Sequence, residues 1–172
     1  EQKDVFYYVT LMNENYAQPD LPAGMEQQVI RGCYRFAGYG ASGAAAASQQ
    51  ATLLGSGAIL TEVIKAAQQL AAEGIAAEVI DLRVLRPLDT ATIAASLRKT
   101  HKAVVVDEGW RSGSLAAEVM ACIVEQCFFD LDAPVARVCS EEVPIPYAKH
   151  MEEAALPQVP KIVATVKQVL GK

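Results

Sequence analysis

A chain of 172 residues can bury one sizeable core, or one domain with an appendage. Its residues are 52% hydrophobic but only 6% aromatic, which indicates a globular chain built on helix packing. A net charge of -5, with Lys and Arg scattered, excludes a basic face for nucleic acid and favours a basic partner, and no apolar run is as long as a membrane span.

The four cysteines, Cys33, Cys122, Cys127 and Cys139, form no CxxC pair, and three lie in apolar segments, so they read as reduced core thiols. With no signal peptide in the sequence, the expected compartment is the cytoplasm. The first residue is Glu1, which reads as the start of a piece excised from a longer protein.

In chain order, residues 5–11, VFYYVTL, have the composition of a strand with nothing local to pair with. Such a strand adds to the main sheet's edge or belongs to a neighbouring domain. An irregular stretch with Pro19, Pro22 and Gly24 follows, and residues 25–30 suggest a short helix before Gly32. Residues 37–50, AGYGASGAAAASQQ, are small, polar and aperiodic, the composition of a linker. The expected organisation is therefore an N-terminal extension over 1–36, a linker over 37–50 and a domain over 51–172.

That domain alternates strand and helix. Residues 51–54 predict a strand, Gly55-Ser56-Gly57 a turn, and residues 58–72 a helix with Ile59, Val63, Ala67 and Leu70 inward and Gly74 just past its end. Residues 77–82 are the next strand, and Asp89 caps a helix running to about Lys99. Residues 103–106 have the β-branched pattern of a strand covered on both faces, which Asp107-Glu108-Gly109 is expected to end. Ser112 and Ser114 offer a cap for a helix carrying Leu115, Val119 and Ile123 to about Phe129. Residues 135–139 are the fourth strand, VPIPYAKH a loop, and residues 158–170 an amphipathic helix. The pattern predicts an α/β fold, a three-layer α/β/α sandwich around a mostly parallel sheet.

In such sheets the loop leaving a strand's carboxyl end is the usual meeting place with ligands. Arg111, Ser112 and Ser114 in that loop could bind an anion through the guanidinium and the amides of a helix start, though capping alone also explains the two serines. Gly55-Ser56-Gly57 lacks the third glycine of a dinucleotide loop and the Lys-Ser/Thr pair of a P-loop, so it reads as a turn. His101 and His150, each beside a lysine, read as surface histidines. Asp107-Glu108 and Glu141-Glu142 read as charged loops. No triad, zinc set or metal-binding carboxylate cluster is visible. On its residues alone the chain is a binding or assembly domain.

The segments LLGSGAILTEVIKAAQQLAAEGIAAEVIDLRVLRPLD, VVVDEGWRSGSLAAEV, DLDAPVARVCSEEVPIPYAKHMEEAALPQV and the closing helix resemble the C-terminal domain of the β subunit of 2-oxoacid dehydrogenase E1, a transketolase C-terminal fold. The leader DVFYYVTLMNENYAQPDLPAGMEQQVIRGCYRF instead resembles the end of the pyrimidine-binding domain of homodimeric pyruvate dehydrogenase E1.

The resemblance implies a parent that uses thiamine diphosphate and magnesium to decarboxylate a 2-oxoacid, with pyruvate the first candidate. The family holds that cofactor between a GDG…N domain and a pyrimidine domain with an activating glutamate, neither of which is in this sequence. The expectation is a fragment with no cofactor and no activity of its own. It would serve contacts with other E1 chains, a homo-oligomer among them, and docking of the basic subunit-binding domain of the E2 dihydrolipoamide acyltransferase. The residues matching the family's docking positions are Asp132, in the LDAP segment, and Lys172, through its terminal carboxylate. A transketolase or 1-deoxyxylulose-5-phosphate synthase parent, which shares the fold but has no E2, is one alternative, and VPIPYAKH and LDAP argue against it; a free-standing regulatory module that binds a small anion through Arg111 and Ser114 is the other. The choice of 2-oxoacid, and between homodimeric and heterotetrameric parents, stays open.

Overall fold

The structure is a computed structural model that describes residues 4, 6–9, 11, 15–40 and 49–172. Its centre is set by residues that have no polar side to turn outward. Strand β2 (Ala51–Gly55) and strand β3 (Ala77–Leu82) are buried along their whole lengths and pair in parallel, Leu53 opposite Val79. Strand β4 (Ala103–Trp110) pairs in parallel with the other side of β2, and β5 (Ala136–Ser140) in parallel with β4. Strand β1 (Cys33–Tyr39) completes the sheet antiparallel to β3, giving the order β1-β3-β2-β4-β5.

Successive residues of a strand point to opposite faces, so apolar runs supply two cores at once. Leu53, Val79 and Val104 face helices α2 (Leu60–Ala72) and α6 (Val159–Val169), packing with Val63, Leu70, Ile162 and Val166. Leu54, Ile80 and Val105 face α3 (Thr90–Thr100) and α4 (Leu115–Cys127), packing with Ile93, Leu97, Val119 and Ile123. The three-layer mostly parallel sandwich is as predicted.

Local chemistry sets the helix ends. Asp89 accepts from the Thr92 amide at 3.1 Å and the Thr92 hydroxyl at 2.6 Å, an N-cap to α3. Gly74 follows α2 at φ 78, the left-handed position that glycine takes at no steric cost. His101 ends α3 in the same left-handed region, at φ 57, and its amide donates to the Leu97 carbonyl at 2.7 Å. Its ring is not free on the surface, because Nδ1 lies 2.7 Å from the Asp130 carbonyl.

Four features differ from the sequence reading. Residues 33–39 are neither extension nor linker but the edge strand β1. It is fastened where no local pattern could show it: Glu78 of β3, 2% exposed, meets Arg35 Nε of β1 at 3.1 Å and Lys99 Nζ of α3 at 2.6 Å. Residues 41–48 of the expected linker lie outside the described residues. Strand β4 runs on to Trp110, because Asp107 has its carboxylate engaged within the fold. The last two residues of the VPIPYAKH segment are not loop but open a helix, α5 (Lys149–Ala155). Phe6–Val9 and Leu11 are exposed and in no strand; Val5 and Thr10 lie outside the described residues. An earlier short helix, α1 (Glu26–Arg31), is where it was expected.

Candidate functional site

The sheet has two ends that differ in chemistry. At the carboxyl end, the loop between β4 and α4 holds Arg111, Ser112 and Ser114 together, as the sequence placed them. Their polar groups, however, are already drawn into bonds within the chain. The Ser112 amide and hydroxyl both donate to Glu142 Oε1, at 3.0 and 2.7 Å. Ser114 Oγ accepts from the Ala117 amide at 3.3 Å, and Asp107 Oδ2 accepts from the Ala116 amide at 2.9 Å, so two donors of the first turn of α4 are filled from within. Arg111 Nη1 donates to the Arg137 carbonyl at 3.2 Å, and Arg137 Nη1 returns a bond to the Arg111 carbonyl at 2.8 Å. The carboxylate that this loop attracts is the chain's own Glu142, thirty residues further on, which no local pattern announced.

Further bonds close this end. Trp110 Nε1 donates to the Val143 carbonyl at 3.2 Å, and Ser140 Oγ to the Glu108 carbonyl at 2.6 Å. A cleft of about 190 Å³ between Arg111, Arg137, Glu142 and Lys161 is below the size of most small-molecule sites, which start near ~300 Å³. Lys161 there already meets Glu141 at 2.7 Å. Burial, and then the Asp107 charge, pushes the Glu108 carboxyl up. Burial likewise raises the Cys139 thiol, so it is no activated thiolate. Gly55-Ser56-Gly57, read as a turn, instead spans the end of β2 and the start of a 3-10 helix (Gly57–Ile59), and His150 is an exposed residue of α5. The four cysteines are free, with Cys33, Cys127 and Cys139 buried.

The amino end of the sheet carries the other two predicted residues. Asp132 precedes β5, and its amide donates to the His101 carbonyl at 2.9 Å. Its carboxylate is 63% exposed and meets Lys102 Nζ at 3.4 Å. The Lys102 carbonyl accepts from the Thr52 amide at 2.8 Å, which ties this corner to the start of β2. Gln50, just before β2, receives the Lys172 ammonium at Oε1, 3.3 Å away. Two residues forty positions apart in sequence thus flank the start of the same two central strands, and the Lys172 ammonium is drawn off to Gln50.

Among the described residues no group of three His, Cys, Asp or Glu side chains could hold a metal ion, and no helix is long and apolar enough to cross a membrane.

The family model of the transketolase C-terminal domain matches residues 43–162. The pyruvate dehydrogenase E1 component subunit beta, mitochondrial, of Drosophila melanogaster is 55% identical over 107 residues, covering 62% of this chain and 29% of its own length. Its counterpart in Dictyostelium discoideum is 47% identical over 118 residues, 69% of this chain and 33% of its own. The pyruvate dehydrogenase E1 component subunit beta of Rhizobium meliloti (strain 1021) is 42% identical over 124 residues, 72% of this chain and 27% of its own. This chain therefore spans about a third of the length of these relatives. Among solved structures, a split-gene transketolase, described as an inactive beta4 tetramer, superposes with a TM-score of 0.62 at 27% identity, covering 72% of this chain and 39% of that one.

The relatives correct the expectation of a cytoplasmic compartment. The Drosophila and Dictyostelium proteins are mitochondrial, while the Rhizobium protein carries no such designation. Free cysteines do not single out the cytoplasm. With the sheet order, the helix layers and the matched residues in agreement, the chain belongs to the transketolase C-terminal domain family, in the form carried by pyruvate dehydrogenase E1 beta subunits.

Proposed function

We propose that this domain is an assembly module of a pyruvate dehydrogenase E1, making contacts with other E1 chains and docking the basic subunit-binding domain of the E2 acyltransferase through Asp132 and the carboxylate of Lys172. One observation supports the docking reading above the rest: Asp132, before β5 and against Lys102 at the start of β4, and Lys172, against Gln50 at the start of β2, lie at the same end of the sheet. Exposed carboxylates there would steer a cationic partner and fix its orientation. The parent enzyme's decarboxylation with thiamine diphosphate and magnesium is part of the same proposal, drawn from the names of the relatives and the family resemblance. Among the described residues, two amides of the first turn of α4 are engaged by Asp107 and Ser114, and the Ser112 amide and hydroxyl by Glu142. No step of the reaction is assigned to them.

The test is a calorimetric titration of the chain with the E2 subunit-binding domain at low and moderate salt. Saturable binding that weakens with salt, and weakens again in Asp132→Asn, is the expected result. Absence of heat at high concentration would remove the docking reading and favour a transketolase-type parent.

A further inference from the structure

The corner that carries Asp132 also carries the most exposed aromatic pair of the folded domain. After α4 the chain makes a 3-10 turn over Phe128–Asp130, and Phe128 and Phe129 are 62% and 98% exposed. Their rings stand edge to face with centroids 5.3 Å apart, and Val124, one turn earlier on α4, is 40% exposed. Isolated surface phenylalanines are ordinary, but two in contact beside a third apolar side chain form a patch whose hydration costs free energy until something covers it.

The patch is held still. The Leu131 amide donates to the Phe128 carbonyl at 3.3 Å, Leu131 packs on the α3/α4 core, and the His101 ring meets the Asp130 carbonyl at 2.7 Å. A rigid turn presents its side chains with little ordering left to be done on association. Its rim is acidic. Glu125 is exposed on the last turn of α4, Asp130 meets Arg98 and Asp132 meets Lys102, each at 3.4 Å, with the Asp132 carboxylate 63% exposed. Ion pairs this exposed contribute little and exchange readily for a partner's cation. An apolar patch with exposed carboxylates next to it in the chain is complementary to a basic surface presenting an apolar side chain.

We propose that Phe128 and Phe129 form the anchor of the docking surface, supplying the lifetime of the complex, while Asp132 supplies its rate of formation. This rests on the docking reading above and adds to it where the affinity resides. Buried aromatic anchors set dissociation rates, whereas rim charges act mainly on association.

The experiment measures association and dissociation rates of the E2 subunit-binding domain on the immobilised chain at two salt concentrations, with wild type, Phe129→Ala, the Phe128→Ala/Phe129→Ala pair and Asp132→Asn. The expected result is dissociation about thirtyfold faster in the phenylalanine pair with an unchanged salt dependence. In Asp132→Asn, association is slower and less salt-sensitive. Phe129 makes so little contact with the fold that Phe129→Ala keeps the wild-type circular dichroism and urea midpoint, which separates lost docking from lost structure. Wild-type rates in both phenylalanine variants, with a slowed Asp132→Asn, overturn the anchor and leave the docking reading standing. No binding by the wild type overturns both.

Discussion

The two ends of the sheet teach opposite lessons about where a domain meets other molecules. The carboxyl end, the customary ligand end of an open α/β sheet, is closed by its own side chains: Glu142 on Ser112, Asp107 on the amides of Gly109 and Ala116, Arg111 and Arg137 on each other's carbonyls. The amino end, chemically plain in sequence, leaves Asp132 and the Phe128–Phe129 pair facing solvent, with Lys102 as a loose counter-ion. Polar groups that satisfy one another stabilise a fold. Groups that answer only to water are available to a partner.

Substitutions at the two ends should therefore separate stability from docking. The largest stability effect is expected from Asp107→Ala, which strips an acceptor from two backbone amides in the partly buried loop. A loss of about 2–3 kcal/mol in urea unfolding is expected, and a change under ~0.5 kcal/mol would mean that water replaces the carboxylate without cost. Asp132→Asn reverses the pattern: its unfolding midpoint stays at the wild-type value, since the exposed ion pair is worth little, and its E2 association slows about tenfold at low salt. Glu142→Gln is expected to cost about 1 kcal/mol or less, as it keeps one acceptor for Ser112 at an exposed site.

A pH titration draws the same contrast most faintly. Near the carboxyl end, burial holds the carboxyls of Asp81 and Glu108 above their ordinary values. The folded chain keeps these protons when the unfolded chain has lost them, so their contribution to stability is intact below the ordinary carboxylate range and is lost as pH rises through the raised values. Asp81→Asn should flatten the acid-side slope of the urea midpoint. An unchanged slope would show that Arg83, 3.6 Å away, already compensates the charge. On the alkaline side burial pushes Cys33 and Tyr34 each to about 12, so stability should fall as pH rises above the ordinary thiol and phenol values.

What could be read from the sequence follows the range of the signals. Asp89, Gly74 and the apolar stripes of α2, α3 and α6 act within a few residues, and the elements they predict are where they were expected. β1 escaped because its stability comes from β3 and from Glu78, some forty residues later, between Arg35 and Lys99. β4 was cut short because Asp107 looks like a solvated residue until its hydrogen bonds to Gly109 and Ala116 are seen. Asp132 and Lys172 were singled out by family likeness alone, yet their common location follows from topology. In a parallel α/β sheet, a residue just before a strand and one just after a helix lie at the same end. The Phe128–Phe129 pair was legible as composition but read as the tail of a core helix, because helical periodicity does not tell where a core ends.

The direction of β1 has one more consequence. Running against its neighbours, it begins with Cys33 opposite Leu82 and ends with Tyr39 opposite Ala77, so residues preceding Cys33 depart from the carboxyl end. Asp132 lies at the opposite end of the sheet and towards its other edge, before β5, so the two points are separated by at least the length of six-residue β3, about 20 Å at the usual rise of an extended chain. The sheet is thereby a spacer of fixed length, keeping the residues that lead into β1 at least a strand's length from the carboxylate of Asp132.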